Sequence, residues 1–123
     1  MIYLYVAAGG AAGAMARFAV GGWVITWAGA TFPWATLAIN ASGSLLLGVV
    51  LARFPDLTTA NEIRALLAVG FCGAFTTFST FGYETASLLQ RGSHGAALVY
   101  MGASVLLSVV AVFAGLWLGS SMV

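Results

Sequence analysis

The sequence predicts an all-α membrane protein of four transmembrane helices, with a break in the third. Three observations predict it. Of 123 residues, 62% are hydrophobic and only 6% are charged, against roughly 45–50% and about 25% in soluble domains. The apolar residues fall into four stretches, and crossing about 30 Å of hydrocarbon takes roughly 20 such residues in a helix. The third stretch carries "GFCGAFTTFSTF" at 70–81, a polar and glycine-bearing insert that a plain lipid-spanning helix has no use for.

The first stretch covers about 3–27. It opens on "MIYLYVAAGG" without the positive flank of a cleaved signal peptide, so it is expected to be retained. Gly9 and Gly13 form a G-x-x-x-G that lets another helix approach closely, either inside one bundle or between two copies. Arg17 is expected near the end of this stretch, where it either snorkels to the interface or stands at a pore mouth attracting anions. "WAGATFPW", with Gly29 and Pro33, separates it from the second stretch at about 34–53. "RFPDLTTANEIR" follows, gathering Arg53, Pro55, Asp56, Glu62 and Arg64, with Thr59 a candidate N-cap three residues before Glu62. The third stretch, about 63–89, ends at "QRGSHG", and the fourth covers about 96–119. His94 falls in that last loop and reads as a solvated side chain. No soluble domain or long linker remains, so 1–123 is read as one four-helix unit.

Composition also removes function classes. The formal net charge of +1 argues against nucleic-acid binding. Cys72 is the single cysteine, which excludes an intrachain disulfide and a cysteine-paired metal site, and it reads as a small core residue. No nucleophile–base pair or ligand cluster suggests an enzyme, and no nucleotide loop or proton-relay chain supplies a driving force.

What remains is polarity inside apolar helices. Thr36, Asn40 and Ser44 follow at i, i+4 steps in the second stretch, and Tyr100, Ser104 and Ser108 do so in the fourth. Residues four apart share a helix face, so each series is an uncharged polar stripe. Interhelical hydrogen bonding accounts for one such stripe; two of them suggest the walls of a narrow path for something small and polar. Asn40 brings an amide whose donors and acceptors are costly to leave unpaired at membrane depth. In the third stretch Gly70, Gly73, Thr76, Thr77, Ser79 and Thr80 lower helix propensity, and their hydroxyls can satisfy freed backbone groups. Carbonyls freed at such a break can hold a cation. Phe78 and Phe81, three apart, lie on one face of the helix that resumes; they serve either core packing or, through the positive ring edge, an anion.

"GFCGAFTTFSTFGYE", "GGAAGAMARF" and "NASGSLLLG" closely resemble the CrcB/Fluc fluoride-channel family over essentially the whole chain. The resemblance implies a passive fluoride channel in the inner (plasma) membrane, built as an antiparallel, dual-topology homodimer with two pores and a central structural sodium ion. It implies that the Gly73 and Thr76 carbonyls of both subunits hold the sodium. It implies further that Phe78 and Phe81 line the pores with Asn40 and the Ser79 and Thr80 hydroxyls beside them. Thr36 belongs to the same pathway, Tyr100, Ser104 and Ser108 match the polar track, Glu84 a pore-adjacent acid and Arg17 a vestibule arginine. Two other readings stay open on the residues alone. One is a proton-coupled exporter of small cations or drugs with Glu84 as carrier, recognisable by pH-dependent export of cationic dyes. The other is a non-transporting assembly subunit, recognisable by co-purification with a larger complex.

Overall fold

A computed structural model describes residues 1–56 and 61–122; the candidate N-cap Thr59 lies outside the described residues. Four helices are long and apolar enough to cross a membrane: Ile2–Ala28, Trp34–Arg53, Asn61–Gln90 and His94–Ser121. Together with the composition they make this a multi-pass, all-helical membrane protein.

The helices pack in pairs, the first against the N-terminal half of the third span and the second against the fourth. Glycine permits both. A Cβ on Gly9 or Gly13 would run into the backbone of Leu66 or Phe71, and one on Gly48 or Gly115 into the backbone of the other's helix. Main chains therefore touch at these points, which matters where lipid supplies no hydrophobic drive for helix association. The G-x-x-x-G of the first helix is thus used inside the protomer.

The first helix runs 27 residues, about 40 Å at 1.5 Å per residue. Arg17 is consequently an interior residue of it, eleven residues before Ala28 (28 − 17 = 11), rather than one near its end. The helix ends within a residue of the predicted 3–27, so those bounds themselves already set Arg17 well inside the stretch.

The third span is the irregular one. Asn61–Arg64 is α-helical, Ala65–Cys72 is π-helical and Gly73–Phe75 is α-helical again. Thr76 (φ −77°, ψ 156°) and Thr77 (φ −149°, ψ 119°) are extended, and helix resumes over Phe78–Gln90. Thr77 is the N-cap of that second half, its hydroxyl accepting from Thr80 N–H at 3.3 Å. At the loop on one side, Arg64 Nη1 donates to Phe54 O at 2.9 Å and ties the start of the third span to the end of the second helix.

Leu37, Leu88, Ala97 and Tyr100 form one buried cluster, with Phe32 and Phe81 packed against it, and Ile39, Val50, Ala65, Cys72 and Phe75 are buried elsewhere between the helices. Large apolar side chains such as Phe18, Trp27, Phe113 and Trp117 are exposed on the protomer.

Candidate functional site

The site forms where the second helix faces the extended pair Thr76–Thr77. Asn40 Nδ2 donates to Thr77 O at 3.0 Å, and Asn40 Oδ1 accepts from Thr77 N–H at 2.7 Å. Thr76 N–H and Thr76 Oγ1 both donate back to Cys72 O, at 2.9 and 2.8 Å. Thr77 Oγ1 donates to Thr80 Oγ1 at 3.1 Å and lies 3.4 Å from Ser79 Oγ.

These bonds redirect two amides. In an unbroken helix the Gly73 carbonyl would accept from Thr77 N–H and the Thr76 carbonyl from Thr80 N–H. Here Thr77 N–H goes to Asn40 and Thr80 N–H to the Thr77 hydroxyl. The two carbonyls expected to hold a cation are therefore among those that lose their regular helical donors here, and Gly73 lies on the exposed side of the protomer. A freed carbonyl is a hard, neutral oxygen ligand, which fits a monovalent hard cation better than a transition metal.

Two cavities flank this point, and Thr77 lines both. The first, of about 440 Å³, is lined by Asn40, Ser44, Phe78, Phe81, Ser104 and Ser108, and it reaches Gly73 and Thr76. Among the described residues, no charged side chain lines it. Phe78 is 84% exposed on the protomer; its ring centroid lies 5.6 Å from that of Phe81, which is 5.1 Å from Tyr100. The second cavity, of about 680 Å³, is lined by Arg17, Thr36, Ser79, Thr80 and Glu84 and opens beside Gly29 to Pro33. There Thr36 Oγ1 donates to Glu84 Oε1.

The predicted residues thus come together, but in two groups. Asn40 and Ser44 part from Thr36 although all three share one helix face, because that face runs past the extended pair and meets a different neighbour on each side. Ser104 and Ser108 reach the first cavity, whereas Tyr100, 0% exposed, lines neither and packs edge-on against Phe32 with ring centroids 5.7 Å apart. Among the described residues, the buried Tyr100 Oη and Ser104 Oγ have no hydrogen-bond partner. Sequence reasoning gave Thr77 no more than a place in the polar cluster. Its signal was available in the threonine three residues before Thr80, the spacing of an N-cap hydroxyl and the amide it accepts from.

Residues 4–116 match the family described as CrcB-like protein, Camphor Resistance (CrcB). The chain is 46% identical over 121 residues to a Thermus thermophilus protein named Fluoride-specific ion channel FluC, covering 98% of this chain and 95% of that one. A relative of the same name from Acidobacterium capsulatum is 45% identical over 126 residues, covering 100% and 99%. Another, from Hydrogenovibrio crunogenus, is 48% identical over 112 residues, covering 90% and 85%.

Proposed function

The chain belongs to the CrcB-like family, and on that premise we propose that it is a fluoride-selective channel through which cytoplasmic fluoride leaves the cell passively. The observation that carries this reading is Ser104 Oγ. It is buried without a partner in a residue that lines the first cavity, beside hydroxyls, an amide and ring edges and, among the described residues, no charged side chain. An unpaired buried hydroxyl costs free energy until a ligand or water meets it.

Fluoride is compact and strongly hydrated, so a pore that selects it must replace water with closely spaced donors and still release the ion. Ser104, Ser108 and the ring edges of Phe78 and Phe81 supply weak donors of that kind in the first cavity. Arg17 in the second cavity raises the local anion concentration at its mouth, and Thr36, Ser79 and Thr80 offer hydroxyls beyond it. Glu84, bonded to Thr36 and set in the same cavity as Arg17, is a poor carrier for an exported cation because the guanidinium repels one. Hydrogen fluoride crosses membranes and dissociates inside at neutral pH, so a passive anion exit lowers the internal concentration without an energy source.

The working unit in this reading is an antiparallel homodimer of dual topology, in an inner or plasma membrane. The exposed aromatic faces of the protomer support a second copy. The carbonyls of Gly73 and Thr76 from both copies would hold one sodium ion, whose charge would tie the two third spans together. Purified protein in liposomes is expected to release fluoride passively, as read by a fluoride electrode, and to reject chloride. Equal fluxes of the two anions would count against the proposal.

A further inference from the structure

Asn40 does more than present an amide to an ion. Its side chain meets the backbone of one residue in both directions, Nδ2 to Thr77 O at 3.0 Å and Thr77 N–H to Oδ1 at 2.7 Å, and so holds the two peptide units that flank Thr77. The assignment of oxygen and nitrogen follows from the partners, since an N–H can only meet the oxygen and a carbonyl only the NH₂. A donor and an acceptor engaged together fix the backbone of that residue, because neither flanking peptide can turn without breaking a bond. Few side chains can do this. An ionised Asp carries acceptors alone, a Ser hydroxyl is too short to span both atoms, and Leu carries neither group.

The clasp sits where it has most to decide. Extended backbone within a membrane span needs partners for its polar groups, and Thr77, the N-cap of Phe78–Gln90, has left the preceding helical ladder through its N–H. By holding Thr77 N–H, Asn40 keeps that amide from returning to the Gly73 carbonyl. The clasped backbone belongs to the residue that lines both cavities. Asn40 stands on the first-cavity side of this partition, while the Thr77 hydroxyl turns to Ser79 and Thr80 on the other.

We infer that Asn40 is a positioning residue, whose amide clasps the backbone N–H and C=O of Thr77 and thereby holds the partition between the two cavities and the freed Gly73 carbonyl in place. The clasp stands on geometry alone; its effect on flux rests on the channel reading given above.

Hydrogen–deuterium exchange read by mass spectrometry on the purified full chain, paired with fluoride efflux from liposomes, tests it. In the wild type the peptide spanning 76–80 retains protection at Thr77 although that residue is not helical. In Asn40→Ala it shows one fast-exchanging amide more, peptides within 61–72 exchange as in the wild type, and efflux falls at least tenfold. Lost efflux with unchanged exchange at Thr77 would mean that Asn40 acts on the ion directly, and would overturn the inference. Faster exchange with wild-type efflux would overturn it equally. If Asn40→Ala does not fold, the wild type alone decides the clasp, because a Thr77 amide exchanging at the rate of an open chain rules it out. A wild type that passes no fluoride would sink the channel reading, and the exchange measurement would still decide the clasp.

Discussion

A phenylalanine ring offers an edge to an anion and bulk to a core, and Phe81 is placed to do both. It packs on the buried cluster and lines the first cavity, whereas Phe78 lines the cavity while 84% exposed on the protomer. The pair can therefore be separated by experiment. Phe81→Ile keeps much of the apolar bulk and removes the ring edge, and a single substitution of this kind typically costs about 0.5–3 kcal/mol. Fluoride efflux is expected to fall at least tenfold with a drop of only a few degrees in melting temperature. If packing is the whole role, efflux survives and the melting temperature takes the loss. Phe78→Ile sharpens the comparison, since little packing within the protomer depends on that ring and a fall in efflux there reports on the path. The phenylalanines, the two stripes and the glycine–threonine cluster were all legible as residues, because helical spacing places side chains without knowledge of the fold. Their division between two cavities was not legible. It depends on where the second helix crosses the extended Thr76–Thr77 pair, a tertiary fact. Tyr100 shows the same limit, sharing a face with Ser104 yet ending in the core beside Leu37 and Leu88.

Helices pair here through bare backbone, and this too was only half written in the sequence. G-x-x-x-G says that something comes close, but the motif is silent on whether a helix of the same chain or of another copy does so. Gly9 and Gly13 face Leu66 and Phe71, and Gly48 faces Gly115, all inside one protomer. Gly48→Leu must push main chains apart along the pairing of the second and fourth helices, a small-to-large change that commonly costs about 1–3 kcal/mol and occasionally more. It is expected to lower the yield of folded protein and its melting temperature by many degrees, read by size-exclusion chromatography and thermal denaturation in detergent. Gly95→Ala meets open space in the first turn of the fourth helix and is expected to be neutral or slightly stabilising, since Ala gains roughly 0.5–1 kcal/mol over Gly within a helix. Equal stability of the two variants would refute the backbone contact. The π-helical turns over Ala65–Cys72 had no sequence signal. "ALLAVGFC" is as apolar as any α-helical stretch, and local propensity does not separate a five-residue ladder from a four-residue one.

For the whole molecule, composition settled the membrane and four arginines govern the orientation. Topology ordinarily follows an excess of Lys and Arg in short cytoplasmic loops. Four crossings put the segment between the second and third spans on one side, with Arg53 at the end of one helix and Arg64 tied to Phe54 beside it. Arg91 follows Gln90 on the other side. Arg17 is interior to its helix, and the cavity it lines also touches Gly29, Ala30 and Pro33, on the side of Arg91. Counting it with that side sets two against two, a balance from which no orientation bias is expected. The chain is expected to insert both ways, which is what an antiparallel homodimer needs. Reporters of each compartment joined after the last helix should both give signal for the wild type. Placing lysines at Ala30 and Thr31 should force one orientation and abolish efflux. Co-expression with a copy carrying lysines beside Asp56 instead should restore it, because the two biased chains supply the opposed partners. A wild type that reports from a single side, or a forced single orientation that still conducts, would leave the antiparallel dimer without support and return the freed Gly73 and Thr76 carbonyls to the protomer alone.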